Sequence, residues 1–198
     1  MSRYSNHDPY VDAETGVLVS RLGILNRASL DEAEANLISI RSQELWLFPL
    51  QGRIDFTYLK NVHRHLFQDM YAWAGELRTV DISKGDNGFA HHAFLEHAGR
   101  AIFEMLASER YLAQLDATEF CQRVAFYLGE LNALHPFRDG NGRAQRKFIQ
   151  LLARKNGYSF HWSKVGREEM LQASIESFRG DGAKLTASLR NVIQELSR

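Results

Sequence analysis

The chain has 198 residues, and its 24 basic side chains balance its 24 acidic ones, so its formal net charge is zero. Hydrophobic residues make up 44% of the sequence, enough for one sizeable core in a single domain. The charge balance argues against a protein that binds nucleic acid through its phosphates. The single cysteine, Cys121, excludes an intrachain disulfide and a thiolate zinc site, and no apolar run reaches the ~20 residues of a membrane span. These limits predict a cytosolic, reduced, single-domain protein without nucleic-acid or membrane partners.

The positions of the chain-breaking residues favour helices. Only three prolines occur, and they are widely spaced, so long stretches are free to form helices. Residues 1–28 are predicted as an N-terminal arm with turns at Gly16 and Gly23. Ser29 and Glu32 have the spacing of a capping box, which predicts that the first helix begins there. The apolar stripe of this helix consists of Leu30, Ala33, Leu37, Ile40 and Leu45.

The pattern changes over residues 77–92. The run Val80–Ile82 is typical of a strand, Asp86–Gly88 is a turn signal, and Phe89–His92 is predicted as the returning strand. The sequence therefore predicts one small hairpin in an otherwise helical chain.

Apolar residues at helical spacing occupy most of the remaining sequence. Further helices are predicted over 55–70, 93–110, 118–134, 143–155, 167–178 and 183–196. The predicted fold class is mostly α with one small β-hairpin. His91 and His92, at the end of that hairpin, are interpreted as structural or surface residues.

Residues 135–146, His-Pro-Phe-Arg-Asp-Gly-Asn-Gly-Arg-Ala-Gln-Arg, join two of the predicted helices. Gly140 and Gly142 flank Asn141, a pattern that allows successive backbone amides to converge on an anion. This pattern leads directly into the N-terminus of a helix, where free N–H groups and the helix dipole favour a phosphate. The segment therefore predicts a phosphate-binding loop.

Charged side chains around this loop add further chemistry. Arg143 and Arg146 are three residues apart on one helix face and can bind the outer phosphates of a nucleotide. Asp139 is a hard oxygen ligand suited to Mg²⁺, and His135 can accept a proton near neutral pH. Each residue alone has an ordinary explanation as a cap, a turn or a local ion pair. Their coincidence in one short segment predicts a phosphoryl- or nucleotidyl-transfer site.

The segment resembles the signature of the Fic family, His-x-Phe-x-(Asp/Glu)-Gly-Asn-Gly-Arg-x-x-Arg, and matches it at every defined position. Residues 71–75 and 78–85 also resemble Fic-domain sequence, and the hairpin resembles the flap of that family. The resemblance implies a single Fic domain over 1–198, a helical bundle with the flap next to the active-site loop. It also implies transfer of AMP from ATP to a Tyr, Ser or Thr hydroxyl of a target protein, with Mg²⁺ as cofactor.

The resemblance implies a role for each residue of the motif. His135 would be the general base that deprotonates the target hydroxyl, and Phe137 would anchor the loop in the core. Asp139 would hold Mg²⁺ between the α- and β-phosphates. The ATP-binding residues would be Gly140, Asn141 and Gly142, which form the anion hole for the α-phosphate, and Arg143 and Arg146, which hold the β- and γ-phosphates.

A second expectation concerns the flap. Lys84, Gly85 and Phe89 lie near its turn, and a hairpin beside the site could pair with an extended segment of the target protein. Main-chain pairing would place the target hydroxyl before His135 while tolerating many side chains. Without the resemblance, the hairpin would be interpreted as a structural connector.

The sequence also bears on regulation. Many Fic proteins carry an inhibitory Ser/Thr-x-x-x-Glu motif, but here no Ser or Thr is followed four residues later by Glu. The chain therefore resembles the bacterial toxins whose inhibitory helix lies on a small antitoxin, as does the segment 8–18. The resemblance implies an antitoxin Glu that pairs with Arg146, and DNA gyrase or topoisomerase IV as a possible target. It leaves open whether the enzyme acts in the bacterial cytoplasm or in a host cell.

Two alternatives are compatible with the sequence. A Fic-fold enzyme can use another donor and transfer phosphocholine or, in the Doc branch, phosphate. Doc-type motifs differ around the second glycine and first arginine, where this chain has Gly142 and Arg143, so AMP transfer is favoured. The other alternative is a non-catalytic adaptor that binds peptides through the flap, against which the intact His135 and Asp139 argue.

Overall fold

The computed structural model describes residues 8–84, 87–178 and 180–196. Within these ranges the chain forms seven α-helices and two small antiparallel sheets, which confirms the mostly α fold class. The helices are α1 (Arg27–Leu47), α2 (Phe56–Phe67), α3 (Leu95–Ser108), α4 (Ala117–Leu134), α5 (Asn141–Lys155), α6 (Arg167–Phe178) and α7 (Ala183–Arg190). The strands are β1 (Ser83–Lys84), paired with β2 (Asn87–Gly88), and β3 (Tyr158–Phe160), paired with β4 (Ile193–Glu195). None of the described helices is long and apolar enough to cross a membrane.

Helices α4 and α5 form the centre of the bundle. Helix α4 packs against α3, α6 and α7, and α5 packs against α2 and α4. The predicted apolar faces of α2 and α4 are buried, with Phe56, Leu59, Leu66, Phe120, Val124, Leu128 and Leu131 in the core. The connection between α4 and α5 is therefore held on both sides by well-packed helices.

The start of α1 differs from the prediction. Asn26 caps this helix, and its side-chain oxygen accepts the N–H of Ser29 at 3.0 Å. Ser29 is thus a donor in the first turn rather than the cap, and the helix begins two residues earlier than expected. Leu30 and Leu45 are buried as predicted, but Ile40 is 56% exposed.

The flap hairpin is shorter than the predicted strands. Only Ser83 and Lys84 pair across to Asn87 and Gly88, while residues 92–94 form a 3₁₀ turn before α3. The buried Arg78 accounts for part of this difference, because its guanidinium donates to the carbonyls of Val80 and Ala90. Neither carbonyl accepts a backbone N–H from the described residues of the opposite leg of the flap. The turn residues Gly85 and Asp86 lie outside the described residues.

The end of the chain also differs from the prediction of one helix over 183–196. Helix α7 ends at Arg190, and the following residues form β4, which pairs with β3. Strand β3 emerges from α5 through Gly157, whose φ of +81° gives the sharp turn, and the carbonyl of Gly157 accepts the N–H of Leu196. A partner strand at this position favours the extended conformation over a longer helix.

The N-terminal arm lies against the loop between α4 and α5. Gly16 and Gly23 have φ angles of +67° and +64°, as expected for turn points. The ring of Tyr10 packs edge-on against Trp73, with ring centres 5.6 Å apart. The carboxylate of Asp8 pairs with the guanidinium of Arg138 at 2.7 Å, so the arm contacts the loop that carries the predicted chemistry.

Candidate active site

The loop between α4 and α5 is fixed by its own side chains. The side chain of Asn141 accepts the N–H of Phe137 at 2.9 Å and donates to the Phe137 carbonyl at 2.8 Å. Phe137 is fully buried and stacks on the ring of His63, with centroids 3.8 Å apart. The amide of Asn141 is thus occupied within the loop, and only its backbone N–H faces a possible ligand.

The glycines of the loop shape a compact turn at the start of α5. Gly140 has a φ of +78°, and a Cβ at this position would lie 2.3 Å from Cζ of Phe67, so a larger residue does not fit. Among the described residues, the backbone N–H groups of Asn141 and Gly142 have no hydrogen-bond acceptor. Two unpaired N–H groups at the first turn of a helix make a site for a phosphate oxygen.

The ring of His135 is oriented by a backbone carbonyl. The residue follows the last turn of α4 in a left-handed conformation, with φ +46° and ψ +61°. Its Nδ1 lies 3.2 Å from the carbonyl of Asn132, so Nδ1 carries the proton and donates it to that oxygen. The lone pair of the neutral ring is therefore on Nε2. The ring of Phe89 stacks on the imidazole at 3.8 Å and covers one of its faces.

Asp139 lies at the start of the anion-binding turn. Its Oδ1 accepts the N–H of Gly140 at 2.5 Å and an N–H of Arg143 at 2.9 Å. No described residue donates to its Oδ2. A carboxylate with one oxygen unused, beside unpaired N–H groups, fits the donor set of a Mg²⁺ ion shared with phosphate oxygens.

His63, on α2, is a site residue that the motif did not reveal. Its Nδ1 accepts the N–H of Gly75 at 2.9 Å, so Nε2 is the protonated nitrogen and donates to the carbonyl of Asp139 at 3.0 Å. Burial lowers the pKa of His63 to about 4, so the ring is neutral near neutral pH. His63 thereby holds the backbone of the residue that precedes the anion-binding turn.

Arg143 is held by two carboxylates. One Nη donates to Asp139, and the other donates to Glu34 on α1, a contact that the sequence did not predict. The guanidinium also lies over the ring of Phe67, 4.8 Å from its centre. Arg143 therefore has a defined position before any ligand binds.

Arg146 has the opposite environment. No hydrogen bond or ion pair joins it to any other described residue, although much of its side chain is covered. Burial, and then the positive charge of Arg143, lower the pKa of Arg146. It borders two clefts, one beside Asn132 and Ser174 and the other beside α1, so an anion can reach it from outside.

The flap residues are brought to the same region only in part. Phe89 is at the site, against His135, and its ring also meets Phe178 of α6 edge-on. Lys84 belongs to β1, and Gly85 lies outside the described residues. Arg78 joins the flap to the loop, because it donates to the carbonyl of His135 at 2.9 Å as well as to those of the flap.

The histidines at the end of the flap pair with Asp81. The backbone N–H and the ring Nδ1 of His92 lie 2.8 and 3.0 Å from one carboxylate oxygen, and Nε2 of His91 lies 3.1 Å from the other. The backbone N–H of His92, first, and the histidine rings lower the pKa of Asp81. This exposed cluster links Asp81, on the first leg of the flap, to the two histidines that precede α3.

The fold and the motif identify the class of protein. A model of the Fic/DOC family matches residues 53–153, which contain the flap, the active-site loop and most of α5. The chain belongs to this family.

Individual relatives extend the similarity beyond these residues. The chain is 46% identical to protein adenylyltransferase VbhT of Bartonella schoenbuchensis over all of its 198 residues, which span 41% of that protein. It is 38% identical to the "probable protein adenylyltransferase y4lH" of Sinorhizobium fredii, over 98% of the chain and 100% of the relative. Among solved structures, the Fic domain of a Bartonella quintana effector with bound ADP superposes with a TM-score of 0.87 at 25% identity, covering 95% of each chain.

Proposed function

We propose that this protein is an ATP-dependent protein adenylyltransferase, which transfers AMP from ATP to a hydroxyl side chain of a target protein. One arrangement carries the proposal: residues 135–146 combine a histidine with a basic Nε2, two N–H groups without an acceptor and an arginine without a carboxylate partner, as far as the described residues show. The names of VbhT and y4lH support the same activity.

In this mechanism, Nε2 of His135 takes the proton of a target Tyr, Ser or Thr hydroxyl. The hydroxyl oxygen then attacks the α-phosphorus of ATP, an O–P bond forms, and the bond to the β-phosphate oxygen breaks. The products are the AMP ester on the target and pyrophosphate. The hydrogen bond from Nδ1 to the carbonyl of Asn132 keeps the ring in the tautomer that this step requires.

Charge develops on the phosphate oxygens during the transfer. The N–H groups of Asn141 and Gly142 would bind an oxygen of the α-phosphate, where they are already oriented and without a competing acceptor. Arg143 and Arg146 would hold the β- and γ-phosphates and align the leaving pyrophosphate opposite the attacking oxygen. Asp139 would hold Mg²⁺ through Oδ2, and the ion would neutralise part of the charge on the phosphates.

The flap would hold the target. An extended segment of the target could pair with the backbone of the flap at Ser83–Lys84. Phe89 would then keep the imidazole of His135 in place while the hydroxyl is presented to it.

The test is transfer of label from ATP with the purified protein, Mg²⁺ and a bacterial lysate. We expect label on protein from α-labelled ATP and none from γ-labelled ATP, with a mass gain of one AMP in the modified peptide. His135→Ala should lower the rate by at least about a hundredfold, while His97→Ala, at an exposed position on α3, should leave it unchanged. Label from the γ-position alone would instead indicate phosphate transfer, and a flap-dependent effect that survives His135→Ala would indicate an adaptor.

We further propose that the protein is the toxin of a toxin–antitoxin pair in bacteria. Arg146 is partly buried and has no carboxylate partner among the described residues, and a glutamate supplied in trans would pair with it and block the γ-phosphate at the same time. DNA gyrase and topoisomerase IV are the targets that the resemblance implies.

Co-expression in a bacterium tests this regulation. Expression of the chain should stop growth only when His135 is intact, and a small protein encoded beside its gene should restore growth. The Arg146→Gln variant should bind that protein at least about tenfold more weakly, because the ion pair is lost. Active enzyme that is harmless when expressed would contradict the toxin proposal without affecting the adenylyltransferase proposal.

A further inference from the structure

The two arginines of the active-site motif differ in what holds them. Arg146 has no ion pair within the described residues, whereas Arg143 donates one Nη to Asp139 and the other to Glu34. A guanidinium has five N–H donors, so these two contacts leave further donors for a phosphate. The difference indicates that Arg143 is positioned in advance and that its position depends on these carboxylates.

Glu34 is an unusual residue for its position on α1. It is one of three buried residues of this helix, and the other two are leucines. Its side chain is only 9% exposed, and a buried carboxylate is stable only with close partners. One oxygen accepts from Arg143, and the other accepts the hydroxyl of Tyr71 at 2.5 Å. Both oxygens therefore have a partner.

Tyr71 fixes the carboxylate in turn. The phenol is fully buried and stacks on Trp73 at 4.4 Å, so its hydroxyl has a defined direction. Burial, and then the hydrogen bond to Glu34, raise the pKa of Tyr71, which keeps it a donor at neutral pH. The result is a chain of contacts from Tyr71 through Glu34 to Arg143, and Glu34 lies outside the residues that the family model matches.

We propose that Glu34 is a positioning residue for the nucleotide, held by Tyr71 and acting through Arg143. The inference rests on the proposed function for the identity of the nucleotide. If Asp139 binds Mg²⁺ when ATP is present, its hold on Arg143 weakens, and Glu34 alone keeps the guanidinium over Phe67 with its remaining donors toward the phosphates. Because Glu34 already restricts the side chain of Arg143, that side chain loses less conformational entropy when the nucleotide binds.

The test combines nucleotide binding with a double-mutant cycle. Affinity for the ATP analogue AMPPNP with Mg²⁺ is measured by calorimetry for Glu34→Gln, Tyr71→Phe and the control Glu44→Gln, which alters a partly exposed ion pair on the same helix. We expect about tenfold weaker binding for Glu34→Gln, about threefold for Tyr71→Phe and less than twofold for the control. In an Arg143→Ala background, Glu34→Gln should cost less than twofold, because its partner is absent.

Several outcomes would overturn the proposal. Equal losses in the presence and absence of Arg143 would mean that Glu34 acts on the fold alone, and tighter binding by Glu34→Gln would mean that the carboxylate competes with phosphate. If Glu34→Gln does not fold, the same double-mutant cycle is measured with Tyr71→Phe and Arg143→Ala. Equal losses of AMPPNP affinity with and without Arg143 would then overturn the proposal.

Two readouts separate this inference from the proposed function. Binding of AMPPNP requires no AMP transfer, so a protein that binds the analogue and modifies nothing would contradict only the proposed function. In the ligand-free protein, ¹⁵N NMR should show slow rotation of the Arg143 guanidinium in the wild type and fast rotation in Glu34→Gln. Equal rotation in both would overturn the role of Glu34 even if no nucleotide binds.

Discussion

His63, on α2, and His135, at the end of α4, both border the loop between α4 and α5, but their surroundings give them different properties. His135 is at the end of α4 with Nε2 as its basic nitrogen, whereas His63 is enclosed between Phe67 and Phe137 and has both nitrogens in hydrogen bonds. Burial keeps His63 neutral and makes it a rigid donor to the backbone of Asp139. The position of the proposed metal ligand thus depends on a histidine that performs no proton transfer.

This environment predicts a pH dependence of stability. The ordinary pKa of histidine is 6.5, and that of His63 is lowered to about 4 in the folded protein. Below pH 6.5 His63 is protonated in the unfolded chain but stays neutral in the folded protein. Its contribution to the free energy of unfolding is therefore fully present above pH 6.5 and falls as the pH approaches 4. The slope is about 1.4 kcal/mol per pH unit within that window.

Chemical denaturation at several pH values between 4 and 7.5 measures this effect. His63→Gln should be less stable than the wild type at pH 7 but should lose less stability on acidification. His97→Gln, at an exposed position on α3, should keep the wild-type slope. A slope in His63→Gln equal to that of the wild type would show that another group causes the acid sensitivity.

At this scale the sequence predicted the residues of the motif but not those that support it. Gly140, Asp139 and Arg143 are adjacent in the chain, so their chemistry can be read from one short segment. The partners His63 and Glu34 are separated from that segment by 76 and 109 positions, respectively. The residues next to a buried histidine or glutamate in a helix do not indicate its distant partner. These partners become visible only when α1 and α2 pack against the loop.

Among the elements, the flap shows how one side chain can replace a strand ladder. The guanidinium of Arg78 is fully buried and donates to carbonyls on both legs of the flap and at the end of α4. Its nearest carboxylate, that of Asp81, is 3.6 Å away. The charge is balanced in part by the carbonyls of Leu134 and His135, which form the negative end of the α4 dipole. The flap and His135 are therefore held by the same group.

Replacing Arg78 should loosen both parts together. Arg78→Lys keeps the charge but cannot reach carbonyls in several directions, because an ammonium is a compact donor on a flexible stem. We expect faster hydrogen–deuterium exchange over residues 78–92 and 133–137, with unchanged exchange in α3, and a stability loss of about 2–3 kcal/mol. Arg100→Lys, at an exposed ion pair on α3, is the matched control. Faster exchange in the flap alone would mean that the two regions are independent.

For the whole molecule, the sequence predicted the helical bundle better than its edges. The helices α2 and α4 have strong apolar periodicity and local caps at Asp55 and Asp116, and their positions follow from nearby residues. Strand β4 depends on pairing with β3, which is more than thirty positions away. Such pairing has no local signal in the sequence, which therefore predicts a single helix over 183–196.

The zero net charge also has a clearer meaning at this scale. Arg143 is paired with Glu34 and Asp139, whereas, among the described residues, Arg146 has no ion pair and lies next to Gly142, whose N–H is unpaired. An anion would thus be attracted by Arg146 and the unpaired N–H groups rather than by the field of the whole molecule. The site also connects distant elements, since Glu34 brings in α1, Arg78 the flap and Asp8 the N-terminal arm.

This connection predicts that a nucleotide stabilises the entire bundle rather than the loop alone. At a concentration of Mg²⁺–AMPPNP one hundred times its Kd, the free energy of unfolding should rise by about 2.7 kcal/mol, which corresponds to a Tm increase of about 5–10 °C for a chain of this size. Arg146→Ala should abolish most of the increase, and Asp139→Asn should make it the same with and without Mg²⁺. Arg100→Ala should behave as the wild type. An increase in Asp139→Asn that still depends on Mg²⁺ would place the ion on other ligands, because a phosphate-bound ion without a protein carboxylate contributes little to the difference between folded and unfolded chains.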